Sequence, residues 1–213
     1  MKLRDLKGSY DGIFSLGHNC LAGIQLRKNN LRPFAGVLDW VGSPSLPHVT
    51  LLLQNQFAGF LEQPNLQFRG YATDMDLLVS DNIYQIYFNH DFKTDVNTPT
   101  NLAAYPEVKE KYNRRISRFK DKLANGQRLL FIRTQGTLEE ITELEKVLSK
   151  IVKNDFRILV VNHTNVKGIV EKKWPLQKVC VVELPDTGFG TNEMFHVNDA
   201  LWKTLLNGIR VTV

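Results

Sequence analysis

Cysteine is scarce in this chain: there are two, Cys20 and Cys180, in unlike contexts, and no spacing resembles a metal knuckle or a disulfide framework. Reducing, cytoplasmic conditions are the natural inference. Long apolar runs are also missing, and the start "MKLRDLKGSY" has no apolar core of signal-peptide length, so no membrane span is expected. Neither G-x-G-x-x-G nor a Walker sequence occurs, which leaves no identifiable phosphate-binding loop. There is no repeat of fixed period and no low-complexity tract, and no cofactor or metal is implied.

What is present is ordinary for a globular protein: 213 residues, 43% hydrophobic and 23% charged, enough for one domain over 1–213. The net charge of +5 raises the question of nucleic acid. Residues 107–122 hold seven basic side chains against three acidic ones, nearly the whole excess. In that segment Val108, Tyr112, Ile116, Phe119 and Leu123 recur at helical spacing, opened by Pro106 and stopped by Asn125 and Gly126. The basic residues then form the solvated side of an amphipathic helix, so a small-molecule or peptide substrate is expected rather than nucleic acid.

A βαβ pattern follows. "RLLFIRT" (128–134) is nearly all apolar, as a strand buried on both faces requires. Thr137 and Glu140 form a capping box, and Ile141, Leu144, Val147, Leu148 and Ile151 define a helix. "FRILVVNHT" (156–164) and "KVCVVELP" (178–185) are further strands, and 195–209 reads as a last helix. Earlier, "GIFSL" is a strand, "NCLAGIQLRKN" a helix, and "PHVTLLLQNQF" a helix opened by Pro47. "MDLLVS" and "IYQIYFNH" form two strands turning at Asp81 and Asn82. The predicted fold is α/β: a mostly parallel sheet sandwiched by helices, with an inserted antiparallel hairpin.

Within "DGIFSLGHNCLAGIQLRKN", Cys20 stands just inside a helix that follows a strand. Unpaired N–H groups at a helix start favour a thiolate, lowering its pKa, and can receive an oxyanion. The alternative is a small buried side chain at a tight junction. Acyl transfer by a thiol needs a histidine to carry the proton. His18 is too close in sequence for an easy pairing, and His48 opens a helix. His90 ends a strand before a polar loop, where it is either a catalytic group or a packed imidazole, and His163 has a similar position.

"SLGHNC", "LRPFAGVLDW" and "FNHDF", in this order, resemble a bacterial family of papain-like cysteine peptidases catalogued as a domain of unknown function, with S-L-G-x-N-C, F-D-W-like and F-x-H-D-F motifs. Leu38 stands where an aromatic is expected before Asp39 and Trp40. The resemblance covers about the first 135 residues and implies Cys20 as nucleophile and His90 as general base. Asp39 or Asp91 is then the candidate to orient His90. Asp91 can serve only if the strand has already ended, because successive side chains alternate. Asn19 either supplies an amide to an oxyanion or caps the helix. A papain-like fold does not predict so parallel a pattern.

Two rival readings remain. "NEMFHVNDALWKTLL" is similar in layout to the late histidine of SGNH-type hydrolases, with His196 as base, but "SLGHN" lacks the Gly-Asp-Ser nucleophile. Alternatively, the strand ends bearing Ser15, Gly17, Thr134, Gly136 and His163 gather as a non-catalytic binding site for a nucleotide-sugar or related carbohydrate. "TGFGTN" (187–192) reads as a flexible loop. Arg133, in an apolar strand, binds an anion or pairs with a buried carboxylate.

Overall fold

Apolar strands of the kind found at 128–134, 156–164 and 178–185 must be covered on both faces, and the computed structural model, which describes residues 1–212, shows how. β1 (Gly8–Tyr10) and β2 (Gly12–Ser15) open the chain, after a single 3₁₀ turn at Leu3–Leu6. α1 (Leu21–Lys28), β3 (Val41–Gly42), α2 (Leu46–Gln54), β4 (Leu66–Thr73), β5 (Asp76–Asp81) and β6 (Ile86–Phe88) come next. Then follow α3 (Tyr105–Asn125), β7 (Arg128–Thr134), α4 (Leu138–Ile151), β8 (Asp155–Thr164), β9 (Val170–Lys172), β10 (Val179–Pro185), α5 (Asp199–Leu206) and β11 (Ile209–Val211).

The central sheet has the order β2-β7-β8-β10-β9, parallel except for the edge strand β9. Alternation divides its side chains between two cores. Phe131, Ile158 and Val181 face α2, α3 and α4; Ile132, Leu159 and Cys180 face α1 and α5, where Trp202 is fully buried. Cys180 is thus a small apolar core residue. Among the described residues no helix is long and apolar enough to cross a membrane.

The insertion is larger than the hairpin expected. β5 and β6 do pair antiparallel, but within a four-stranded sheet of order β3-β6-β5-β4. Asp81 belongs to β5 rather than to the turn; its carboxylate accepts from the N–H groups of Ile83 and Tyr84 at 3.0 Å and so shapes the loop that follows. Helix α3 joins the two sheets: Tyr112 packs edge-on to Phe88 of β6 at 5.3 Å between centroids, and Phe119 meets Phe131 of β7 at 6.1 Å.

The last helix is shorter than the spacing predicts. Asn192–Phe195 form a 3₁₀ turn, α5 begins at Asp199, and the last described strand, β11, pairs parallel with β1.

Candidate active site

After β2 the chain must leave the sheet, reverse and enter α1. Gly17 makes the turn at φ +80, where a Cβ would lie 2.0 Å from Ser43 Oγ, so a side chain has no room. His18 follows at φ +84, a left-handed conformation that costs a non-glycine residue on the order of 1 kcal/mol. The surroundings hold it there. Ser43 Oγ accepts from His18 N at 2.9 Å, and Ser43 N donates to the His18 carbonyl at 2.9 Å. From β7, Arg133 Nη1 donates to the Leu16 carbonyl and Thr134 Oγ1 to the Gly17 carbonyl, each at 2.9 Å.

Arg133 was expected to bind an anion or to pair with a buried carboxylate; among the described residues no carboxylate bonds it. Only 1% exposed, it donates to Ser43 Oγ and to the carbonyls of Leu16, Pro44 and Gln135 at 2.9–3.3 Å. Burial pulls its pKa down to about 9, which still leaves the guanidinium charged at neutral pH. It is a brace for the loop that carries the cysteine.

Cys20 is the N-cap of α1 rather than a residue inside it, and its carbonyl accepts from Ile24 N at 2.9 Å. Asn19 Oδ1 accepts from Leu21 N at 2.9 Å, a capping contact, while its Nδ2 rests 3.6 Å from Met194 Sδ. The amide is therefore engaged on both sides. The backbone N–H groups of Asn19 and Cys20 donate to no protein atom among the described residues.

The expected fall in the Cys20 pKa is not found. The side chain is 5% exposed, and burial, with the nearby charges of Asp39 and Asp91, pushes the thiol up to about 11. A helix of eight residues whose first free N–H is already capped does not offset that desolvation.

His90 lies beyond the end of β6 and is exposed, so it is not a packed core imidazole. Its Nε2 is 4.0 Å from Cys20 Sγ, across 70 positions of sequence. The Trp40 ring meets the imidazole edge-to-face at 6.4 Å. Among the described residues, neither proposed orienting carboxylate bonds the ring. Asp91 takes the Tyr112 hydroxyl at 2.9 Å and pairs with Lys111. Asp39, 1% exposed, pairs with Arg32 at 2.9 Å and accepts from Gly36 N at 2.7 Å. Its work is to fix the segment that presents Trp40, against which α1 packs so closely that a Cβ on Gly23 would come within 3.0 Å of the Asp39 carbonyl.

The other histidines are placed elsewhere. His196 is exposed at the end of the 3₁₀ turn, and none of its side-chain polar contacts reaches Cys20 among the described residues. His48 Nδ1 is 2.7 Å from Ser45 Oγ. His163 is 7% exposed and stacks on Phe189 at 4.6 Å, with His18 on the same ring at 5.9 Å. Burial draws both of these imidazoles down to about 4, so both are neutral at pH 7. From the sequence, Trp40 is named as part of the "LDW" motif but with no role beside the histidine, and Ser43 and Phe189 are not singled out; the aromatic between glycines in "TGFGTN" was the available signal for Phe189.

Comparison with known proteins agrees with the motif order. An uncharacterized protein, R408, of Acanthamoeba polyphaga mimivirus is 27% identical over 201 residues, covering 81% of this chain and 90% of the relative. That relative is viral, so it does not bear out the bacterial origin expected of the family. No solved structure matches. The family described as "Putative papain-like cysteine peptidase (DUF1796)" matches residues 11–166, which include "SLGHNC", "VLDW" and "FNHDF", and the chain belongs to that family.

Proposed function

We propose that the protein is a thiol-dependent hydrolase or acyltransferase in which Cys20 is the nucleophile and His90 the general base. The observation that carries this reading is the 4.0 Å approach of Cys20 Sγ to His90 Nε2, made by residues on segments that follow strands of two different sheets. That separation is long for a hydrogen bond to sulfur, as resting catalytic pairs often are before substrate tightens them.

In the proposed reaction Sγ attacks a carbonyl carbon as its proton passes to His90 Nε2. The resulting oxyanion takes the free N–H groups of Asn19 and Cys20. The imidazolium then protonates the leaving group as its bond to carbon breaks, giving a thioester on Cys20. Water or an acceptor amine, deprotonated by His90, releases the acyl group and restores the thiol. Trp40, rather than a carboxylate, is the group that orients the ring in this reading.

The test is acylation by p-nitrophenyl acetate followed by mass analysis. An acetyl group should appear on Cys20, be absent in Cys20→Ala, and form about 10²-fold or more slowly in His90→Ala. An equal rate in His90→Ala, or acetylation elsewhere only, overturns the dyad.

A further inference from the structure

The C-terminal ends of β2, β7, β8 and β10 lie side by side, and the segment after β10 folds across them. Its Phe189 ring stacks near two imidazoles, on His163 at 4.6 Å and 17° and on His18 at 5.9 Å and 24°. Both ring nitrogens of His163, a side chain 7% exposed, lack a hydrogen-bond partner, as does His18 Nδ1. Buried polar atoms are seldom left so, and three of them around one aromatic ring offer hydrogen bonds that a phenyl group alone does not use and a peptide group beside it would.

The tether of that ring is light. Within residues 186–191, Phe189 N donates to the Asp186 carbonyl, and Thr191 N and Oγ1 donate to the Gly188 carbonyl; among the described residues, outward bonds are made only at the segment's ends, from Asp186 N to the Thr164 carbonyl and to Thr191 from Glu193 N and Met194 N. Gly188 and Gly190 flank the ring at φ +69 and +88, left-handed conformations that glycine adopts without steric penalty. Firm attachment resumes at Phe195, whose carbonyl takes Gln25 Nε2 and Lys28 Nζ. The hydrogen bonds of the 186–191 segment do not tie Phe189 into the slot, and its stacking contacts do.

We propose that the space Phe189 fills beside His18 and His163 is a subsite for the aromatic side chain of a peptide-like substrate, held closed in the free protein by Phe189. It rests on the proposed thiol chemistry for its purpose, since His18 and Cys20 belong to the same loop and Met194, just after the plug, touches Asn19. The chemical class follows from what the slot accepts. Its occupant is already a phenyl ring carried on a polypeptide, and the neutral imidazoles offer edges for a peptide group.

The test is an NMR titration of the His18 and His163 imidazole signals with N-acetyl-phenylalaninamide, in wild type, Phe189→Ala and Cys20→Ser. Both signals should move, and removal of the internal competitor should tighten binding about tenfold in Phe189→Ala. In wild type, saturation should also speed amide exchange across 186–191, a readout that needs no variant. Cys20→Ser should bind as wild type does, which separates this subsite from the acylation chemistry: binding retained while p-nitrophenyl acetate fails to acylate Cys20 sinks the chemistry alone. Static imidazole signals, equal affinity in Phe189→Ala, or displacement of Phe189 by adenosine but not by the peptide amide would overturn the proposal.

Discussion

Cys20 combines two features that pull in opposite directions. Its position at the start of α1 favours negative charge on sulfur, while its burial and the charges of Asp39 and Asp91 oppose it, and the opposition prevails at about 11. In the proposed chemistry this keeps the resting sulfur a thiol, and the thiolate arises only as His90 takes the proton. The expectation for a small alkylating reagent is then definite. Because the thiolate fraction rises tenfold per pH unit below the pKa, the rate with iodoacetamide should climb log-linearly from pH 7 to about 11. In the denatured chain the same cysteine should level off near pH 8.5–9. Cys180, buried in the core and pushed up to about 12, should stay silent until the fold opens. A plateau for folded Cys20 below pH 8 would show an activated thiolate instead.

At the scale of elements, the loop between β2 and α1 is held less by itself than by its neighbours. Arg133 supplies donors to three carbonyls and to Ser43, and replacing it with methionine leaves those carbonyls buried without partners. Arg133→Met should lower stability by about 2–4 kcal/mol in urea unfolding. Thr134→Val, which removes one bond to Gly17, should lower it by about 1 kcal/mol. A loss below about 0.5 kcal/mol for Arg133→Met would mean that the loop does not depend on this brace. The same arrangement explains what the sequence could reveal. "RLLFIRT" matches β7 residue for residue, and the stripes of α3 and α4 and the Thr137 capping box were legible because each is a local pattern. β4 was not, since its alternating half-exposed side chains include Gly70, and the strand exists because β5 offers it a partner. Cys20 and His90 could be picked out by motif order. The residues that fix them could not, because Ser43 and Arg133 reach the loop across long stretches of sequence. Likewise, the partners of Asp39 were not legible: its carboxylate bonds Arg32 and Gly36 N rather than the His90 ring.

At the scale of the whole molecule, the thiol is carried by the end of the parallel sheet and the imidazole by the end of the antiparallel one, so their 4.0 Å approach depends on how the sheets are docked. The docking is apolar and continuous: Val79, Phe88 and Tyr112 belong to the same buried cluster as Phe131 and Ile158. Burial of this kind contributes about 25 cal/mol per Å² of apolar surface, so separating the sheets would expose several large aromatic groups at once. We therefore propose that residues 1–213 fold as one domain despite the two sheets. Two tryptophans report on the two ends of that claim. Trp40 stands against His90 beside the junction, and Trp202 is fully buried on the far face of the parallel sheet. Single-tryptophan variants retaining one or the other, unfolded in urea, should show the same midpoint and the same slope, matching the loss of far-ultraviolet circular dichroism. If the Trp40 signal moves at a lower urea concentration than the Trp202 signal, the antiparallel sheet unfolds on its own. In that case the Cys20–His90 approach is lost before the parallel core opens, and acylation of Cys20 should disappear along the Trp40 curve.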